Sequence, residues 1–229
     1  MDGQRLTFHL AGINNQNFIM RDEETGTYWQ QINGLAISGP LKGRQLTLVP
    51  YDELTFATWK SEQPQGTVLA DVPKYASEYE KPDWDVRMAR VRTVIQFAEH
   101  GMKARDLMFG VQAFGASRAF LLDRVLKEKL VKDHVGPEPV LVVVGEDNQS
   151  VRVFRDRIPG VEGAPDFYRL APPKPDALLM DAATGSEWNF QGCAVSGKEQ
   201  GVCLEWVQAL KDYWFDWRNY NPRTTVWGK

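Results

Sequence analysis

The sequence predicts a β-dominated α+β fold in which a β meander followed by a short helix occurs at each end of one body. A Trp-bearing phrase with a glycine turn occurs twice, as DEETGTYW from Asp22 and as DAATGSEW from Asp181. Between these copies, short apolar or alternating stretches separated by turn residues continue, which is typical of strands. The composition, 43% hydrophobic and 25% charged, is that of an ordinary globular chain.

Each copy opens on the same turn. The order Asp, two residues, Thr, Gly predicts a hairpin with a type I turn closed by a glycine bulge. The Asp side chain caps such a turn, and the Gly supplies the positive φ that other residues resist. The Trp that follows is large enough to anchor a small core. The predicted structural turn and core residues are Asp22, Gly26, Trp29, Trp59, Asp181, Gly185, Trp188 and Trp217.

A helix and a closing strand complete each copy. The stretch YDELTFATWKSEQP predicts a helix with Asp52 as its N-cap and Pro64 as its end, and ALKDYWFDWRNYNP repeats the arrangement before Pro222. The stretches TVL and TTVW then predict short strands. We name residues 22–69 the first end unit and residues 181–227 the second end unit, and we interpret them as the products of an internal duplication.

The intervening segment, residues 106–155, is expected to be rich in strands. DLMFGVQAFGASRAFLL predicts a hairpin about Gly115, LDRVLKEKL a short helix, and PVLVVVGEDNQSVRVF two strands joined by a polar turn. A further helix is predicted around DWDVRMARV. Because strands continue through the chain, we expect residues 1–229 to form a single domain rather than two.

Charge and hydropathy exclude several function classes. The net charge is -3 and basic residues are interspersed with acidic ones, so nucleic acid is not an expected partner. The longest apolar run, VLVVV, is far shorter than the roughly 20 residues of a membrane-spanning helix. The amino terminus MDGQRLTFHL lacks the features of a signal peptide.

Several blocks resemble a known family. They are LTFHLAGINNQNFIMRDEETGTYWQQINGLAISGP, WKSEQPQGTVL, DLMFGVQAFGASRAFLL, DHVGPEPVLVVV and ATGSEWNFQGCAVSG. Together they are similar to the bacterial and archaeal family known as the domain of unknown function 3179, over nearly the whole chain. The family's usual Cys-Pro motif, which precedes the block matching Leu6 to Gly12, is not in this sequence. The resemblance implies an extracytoplasmic location and supplies no activity.

The two cysteines, Cys193 and Cys203, flank the turn SGKEQG. On facing hairpin strands their Cα atoms would lie within the range of a disulfide. Two buried thiols, or redox or metal chemistry, are the alternatives. The corresponding residues of the first end unit are Leu35 and Gln45, so the fold does not depend on the bridge. The three His residues lack metal-ligand spacing, and we predict no metal and no cofactor.

No catalytic residue is predicted. Nucleophile, zinc, phosphate-loop and dinucleotide motifs are missing from the sequence. Asp22 and Asp181 invite comparison with an aspartic-protease dyad, but two residues separate each from its Thr, and turn capping explains both.

Eight Trp residues are a surplus for a chain of this length. Aromatic residues crowd the second end unit, where the first has Leu48, Phe56 and Leu69 at the matching Trp positions. Such density is typical of a ligand groove, with core filling as the alternative. The predicted binding residues are Trp206, Trp214, Trp227, Tyr213 and Tyr220.

The sequence therefore favours a non-catalytic binding or interaction module with an aromatic surface. Its expected partner is a protein, a peptide or a carbohydrate. The alternative is an enzyme of unrecognised type, which would use either the thiol of Cys193 or carboxylates at a cleft between the two end units.

Overall fold

Short strands and a few short helices make up the chain. In this computed structural model, residues 3–14, 17–97 and 99–228 are described, apart from the side chain of Pro173. The strands are β1 (Phe8–Asn14), β2 (Asn17–Asp22), β3 (Tyr28–Gln30), β4 (Ala36–Ser38), β5 (Leu107–Ala113), β6 (Ala116–Leu121), β7 (Leu130–Val135), β8 (Glu138–Val144), β9 (Val151–Arg155), β10 (Phe167–Lys174), β11 (Ala177–Asp181), β12 (Glu187–Trp188), β13 (Ala194–Ser196), β14 (Trp206–Val207), β15 (Ala209–Tyr213) and β16 (Thr225–Val226). The α-helices are α1 (Phe56–Glu62), α2 (Trp84–Met88), α3 (Leu122–Glu128) and α4 (Trp214–Tyr220), with a 3-10 turn at Pro73–Tyr75.

This distribution of elements confirms the β-dominated α+β class. The helices are few and short, and strands occur from β1 to β16. No helix within the described ranges combines the length and the apolar composition needed to cross a bilayer.

The two ends of the chain carry sheets of the same design. The first end sheet has the order β1-β2-β3-β4 and the second end sheet the order β10-β11-β12-β13, and both are antiparallel. An isolated bridge joins Leu35 to Gln45 in the first, and another joins Cys193 to Cys203 in the second. The two sheets therefore agree in strand order and in the turn that follows their fourth strand.

An aspartate organises the opening turn of each end unit. Asp22 Oδ1 accepts the backbone N–H of Thr25 at 2.6 Å, and Asp181 Oδ1 accepts that of Thr184 at 2.6 Å. Although burial alone would raise the pKa of Asp22, hydrogen bonds from Trp29 and Thr25 outweigh it and lower the pKa. The carboxylates thus supply acceptors for backbone N–H donors that the tight turn would otherwise leave unsatisfied.

The same carboxylates hold the anchoring indoles. Trp29 Nε1 donates to Asp22 Oδ2 at 2.8 Å, and Trp188 Nε1 donates to Asp181 Oδ2 at 2.9 Å. All four side chains belong to residues that are 0% exposed. Because a buried indole N–H needs an acceptor, each turn both reverses the chain and satisfies its own core residue.

Two inner sheets form the body between the ends. One has the order β14-β9-β8-β7 and the other β15-β5-β6-β16, in which β16 runs parallel to β6. Alternate residues of β8 face opposite cores: Val140 and Val142 pack towards β5 and β6, whereas Leu141 and Val143 pack towards the second end sheet. The uninterrupted apolar run of β8 therefore reflects a strand that is buried on both faces.

The helix of each end unit lies beside the sheet of the other end unit. α1 shares a concavity with residues of the second end sheet, and its Glu62 receives hydrogen bonds from Arg152 of β9 at 2.7 Å. α4 lies beside the first end sheet, where Asn17 Nδ2 donates to Asp216 Oδ2 at 3.0 Å. Each end unit thus contributes its helix to the far side of the molecule.

Three local predictions were wrong. Thr55, and not Asp52, is the N-cap of α1. The helix begins at Phe56, and the Thr55 side chain accepts the N–H of Thr58. Asp52 instead binds the guanidinium of Arg152, at 2.6 Å. Residues 67–69 form no strand, and residues 209–213 are strand β15, paired with β5, rather than the start of a helix. In the second end unit, the neighbouring strand β5 decides the conformation.

Candidate functional site

A polar cavity of about 630 Å³ lies between the first end sheet and α4. Its floor is formed by β5 and β15, and its rim includes the stretch before α1. Amide, carboxyl, phenol and indole side chains dominate the lining. The polar and aromatic lining residues are Asn17, Gln31, Asn33, Gln45, Tyr51, Gln112, Gln208, Lys211, Asp212, Asp216, Trp217, Tyr220 and Asn221.

Four residues that line this cavity each carry a buried polar atom without a hydrogen-bond partner among the described residues. The atoms are Asn17 Oδ1, Asp212 Oδ2, Asp216 Oδ1 and Tyr220 Oη. Asn17 is 8% exposed and Asp216 7% exposed, while Asp212 is partly covered with its Oδ2 enclosed. Unpartnered buried polar groups are uncommon because each costs about 1–3 kcal/mol. Four of the six such atoms found in the described residues belong to residues that line this cavity.

Helical spacing and strand pairing bring the acids together. Asp212 lies near the end of β15, where it pairs with Met108 of β5. The chain then turns into α4, and Asp216 and Tyr220 follow at intervals of four residues. Residues four apart lie on one face of a helix, so both side chains point to the same side of α4. Asn17, at the start of β2, meets this face from the first end sheet.

Burial changes the ionisation of this group. It raises the pKa of Asp212 to about 8, and the charge of Asp216 acts in the same direction, against the hydrogen bond from the backbone of Tyr213. Burial also raises the pKa of Asp216, against the hydrogen bond from Asn17. Burial together with these two acids raises the pKa of Tyr220. The cavity therefore opposes the accumulation of negative charge.

Trp217 fixes the helix that carries the acids. Its ring packs directly on Gly110 of β5, where an added Cβ would come within 2.4 Å of the indole. The indole Nε1 donates to Thr224 Oγ1 at 2.9 Å. Gly110 thus permits a close approach that sets the distance between α4 and the sheet.

Three further concavities are less distinctive. One surrounds His134 and Arg223 and shares Tyr220 with the polar cavity, one lies between α1 and the second end sheet, and one contains Trp206 beside Arg152. Of the unpartnered atoms, only Tyr220 Oη belongs to any of these three. No cluster of three or more His, Cys, Asp or Glu residues suited to a metal ion occurs in the described ranges.

The comparison with protein families identifies the chain. The profile of the family described as "Protein of unknown function (DUF3179)" matches residues 1–224. The chain belongs to this family. Neither the curated proteins nor the solved structures yielded a match. Within this member of DUF3179, the cavity must therefore be interpreted from its own geometry.

The five aromatic residues predicted to bind are dispersed over this DUF3179 chain. Trp214 is 0% exposed, so it has no surface to offer a ligand. Trp227 packs against Phe120, with a guanidinium over its ring. Trp206 is 38% exposed and lies in a separate concavity. Tyr213 stacks on Phe215. Of the five predicted residues, Tyr220 is the one that lines the polar cavity.

Sequence reasoning did not select Asn17, Asp212 or Asp216. A signal existed in KDYWFDW, where two acids four residues apart stand among large aromatic residues. Carboxyls in such a context are unusual, because acids are seldom buried without partners. Nothing in the sequence indicated that Asn17 would join them.

The two cysteines are joined by a disulfide, Cys193–Cys203, ten residues apart in sequence. Cys193 is half-buried and Cys203 is exposed. The described chain contains no free thiol. The bridge closes the same turn that Leu35 and Gln45 form without one in the first end sheet.

Removing the bridge is expected to destabilise the protein moderately. The chain-entropy relation for a loop of this length gives a loss of about 2–3 kcal/mol in the free energy of unfolding for a Cys193→Ser, Cys203→Ser double variant. Urea denaturation measures it, and reductant added to the unmodified protein serves as the control. Equal urea midpoints for the double variant and the unmodified, oxidised protein would contradict the prediction.

Proposed function

We propose that the protein is a non-catalytic binding protein whose ligand, a small polar molecule, occupies the polar cavity. The observation that carries the proposal is the concentration of unpartnered buried atoms from Asn17, Asp212, Asp216 and Tyr220 on that one cavity. A ligand that forms hydrogen bonds with these atoms would offset the free-energy cost of burying them.

The size and the lining of the cavity support a small ligand. Its volume of about 630 Å³ falls within the range of small-molecule sites. The amides of Gln31, Gln112 and Gln208 each offer both donors and acceptors, and Tyr51 adds a phenol. Such a lining suits a molecule that makes several directed hydrogen bonds, rather than a lipid or a polyanion.

This proposal relocates the binding site expected from the sequence. Tyr220 is the one residue of the predicted aromatic set that lines the polar cavity. A partner protein or peptide on an aromatic surface receives less support, because Trp214 is buried and Trp206 lies in another concavity.

An acid–base enzyme is the second candidate. It is favoured by the raised pKa of Asp212, about 8, since a carboxyl that holds its proton at neutral pH is suited to general acid catalysis. The version of this hypothesis that uses a thiol has less support, because Cys193 is bonded to Cys203. Binding is the simpler proposal because no reaction is needed to explain the cavity.

The proposal is tested by nuclear magnetic resonance of the side-chain amides of Asn17, Gln112 and Gln208. We expect 1,4-butanediol, acetamide or 1,4-diaminobutane to shift these signals saturably. Asn17→Leu, which removes one unpartnered acceptor and adds an apolar group, is expected to weaken that binding tenfold or more. Gln200→Leu, in an exposed turn, is the matched control.

Shifts that increase linearly with probe concentration and spread evenly over the surface would count against the proposal. So would saturable shifts that persist unchanged in the Asn17→Leu variant, because they would place the probe elsewhere.

Two other expectations are also supported. We infer that the protein works outside the cytoplasm, since disulfides persist in oxidising compartments and the chain carries one. We also infer that the end units arose by duplication. The common strand order of the two end sheets and their matching Asp–Trp hydrogen bonds support that origin.

A further inference from the structure

The two carboxyls of the polar cavity lack a cation. Asp216 accepts a hydrogen bond from the neutral amide of Asn17, and Asp212 accepts one from the backbone of Tyr213. Neither forms an ion pair with any residue of the described ranges, and each keeps one unpartnered oxygen. Burying two such groups near each other is costly unless positive charge accompanies them.

The contact between α1 and the second end sheet also brings two acids together, but there a cation of the protein is paired with them. Asp52 and Glu62 approach each other, and the guanidinium of Arg152 lies between them. Arg152 is 6% exposed, and both carboxylates bind it at 2.6–2.7 Å. At that end the protein supplies its own cation to two acids. At the end of the polar cavity it does not.

The cations nearest the cavity are engaged elsewhere. Lys211 lines the cavity, but its Nζ lies 2.6 Å from Glu53. Arg105 lowers the pKa of Asp216 through its charge, yet its guanidinium lies over the rings of Tyr213 and Phe215. The described chain therefore pairs no cation with Asp212 or Asp216, and only a ligand would supply one when both are ionised.

We propose, on the basis of the proposed binding function, that the ligand carries a protonated amine and that this ammonium group binds between Asp212, Asp216 and Asn17. Each of these three residues lines the cavity and carries one unpartnered, enclosed oxygen. An ammonium group has three N–H donors and no acceptor, so its hydrogen-bonding capacity matches this set.

The rest of the lining also suits an amine. Tyr51, Trp217 and Tyr220 are aromatic, and aromatic faces attract organic cations. A divalent metal ion is a poorer match, because no third carboxylate or His joins the two acids within the described chain. The amides of the cavity remain available for hydroxyl or carbonyl groups elsewhere on the ligand.

Amine binding is coupled to proton release. Burial keeps a proton on Asp212 near neutral pH, and a bound ammonium group displaces that proton to the buffer. The affinity is therefore expected to rise with pH by up to about tenfold per unit below pH 8, and to level off above it. The charged or titratable groups around Asp212 are Tyr51, Glu53, Arg105, Lys211, Asp216 and Tyr220.

The test compares two probes of similar length, 1,4-diaminobutane and 1,4-butanediol, by the amide signals of Asn17 and Gln112 at constant ionic strength. We expect the diamine to bind at least tenfold more tightly than the diol, and more tightly at pH 8 than at pH 6. Asp216→Asn and Asp212→Asn are each expected to remove most of that preference. Asp156→Asn is the control, because Asp156 is another partly buried acid with an unpartnered oxygen but lies outside the cavity, and we expect it to leave the preference unchanged.

Each other outcome has a defined meaning. Equal binding of diol and diamine overturns the amine while leaving the proposed binding function in place. Saturable binding of calcium chloride without binding of the diamine overturns it in favour of a metal ion. A diamine preference that survives both Asp→Asn substitutions also overturns it. If neither probe shifts the cavity signals, the amine and the binding function fail together.

Discussion

An Asp212→Asn variant is expected to be more stable than the unmodified protein at pH 8 and nearly equal to it at pH 4. Burial raises the pKa of Asp212 from the ordinary value of 3.8 to about 8, so between these values the folded state binds a proton that the unfolded state has released. The free energy of unfolding must then fall as the pH rises through this window. The loss reaches up to about 5 kcal/mol at pH 8, at about 1.4 kcal/mol per unit of pKa difference.

Asn preserves the local structure while removing the ionisation. Its side-chain oxygen can accept the same hydrogen bond from the backbone N–H of Tyr213. Guanidinium denaturation at a series of pH values measures the effect, and Asp71→Asn, at an exposed position, is the control. Parallel stability curves for the Asp212 variant and the unmodified protein would show that Asp212 ionises normally.

Asp181→Ala is expected to destabilise the protein by about 4 kcal/mol, since removing the carboxylate leaves several buried donors without an acceptor. The side chain accepts hydrogen bonds from Trp188 Nε1 and from the backbone N–H groups of Thr184 and Ser186. Asp181 is 0% exposed, so water does not replace these bonds. Thermal unfolding and urea denaturation measure the loss.

Asp22→Ala provides the internal comparison. Asp22 makes the corresponding bonds to Thr25 and Trp29 and is also 0% exposed, so we expect a loss within about 1 kcal/mol of that for Asp181→Ala. Asp71→Ala, at the surface, should change stability by less than about 0.5 kcal/mol. A loss below 1 kcal/mol for either buried aspartate would mean that the turn does not depend on its carboxylate.

Features that depend on neighbouring residues could be predicted from the sequence. The hairpin of β5 and β6 turns at Gly115, whose φ is +76°, as the glycine in AFGAS indicated. The short helix α3 and the strands β8 and β9 also lie where their apolar patterns placed them. The family assignment is confirmed by the match over residues 1–224. In each case the deciding signal lies within a few residues of the element it specifies.

Features that depend on residues distant in the sequence could not be predicted. Asn17 and Asp216 are 199 positions apart, and no local pattern indicates that they share a hydrogen bond. Asp52 looked like a helix cap because its tertiary partner, Arg152, was unknown. Likewise, the conformation of residues 209–213 is decided by pairing with β5. Tertiary partners override local preference at these positions.

The exchange of α1 and α4 between the ends has a consequence for biosynthesis. Because Asn17 and α4 both line the cavity, the two sides of the cavity come from segments about 199 residues apart in the sequence. The first end sheet is synthesised before α4, so the hydrogen bond between Asn17 and Asp216 forms only after α4 has been made. Contacts so distant in sequence form slowly. A nascent chain that has not yet reached α4 therefore lacks one side of the cavity.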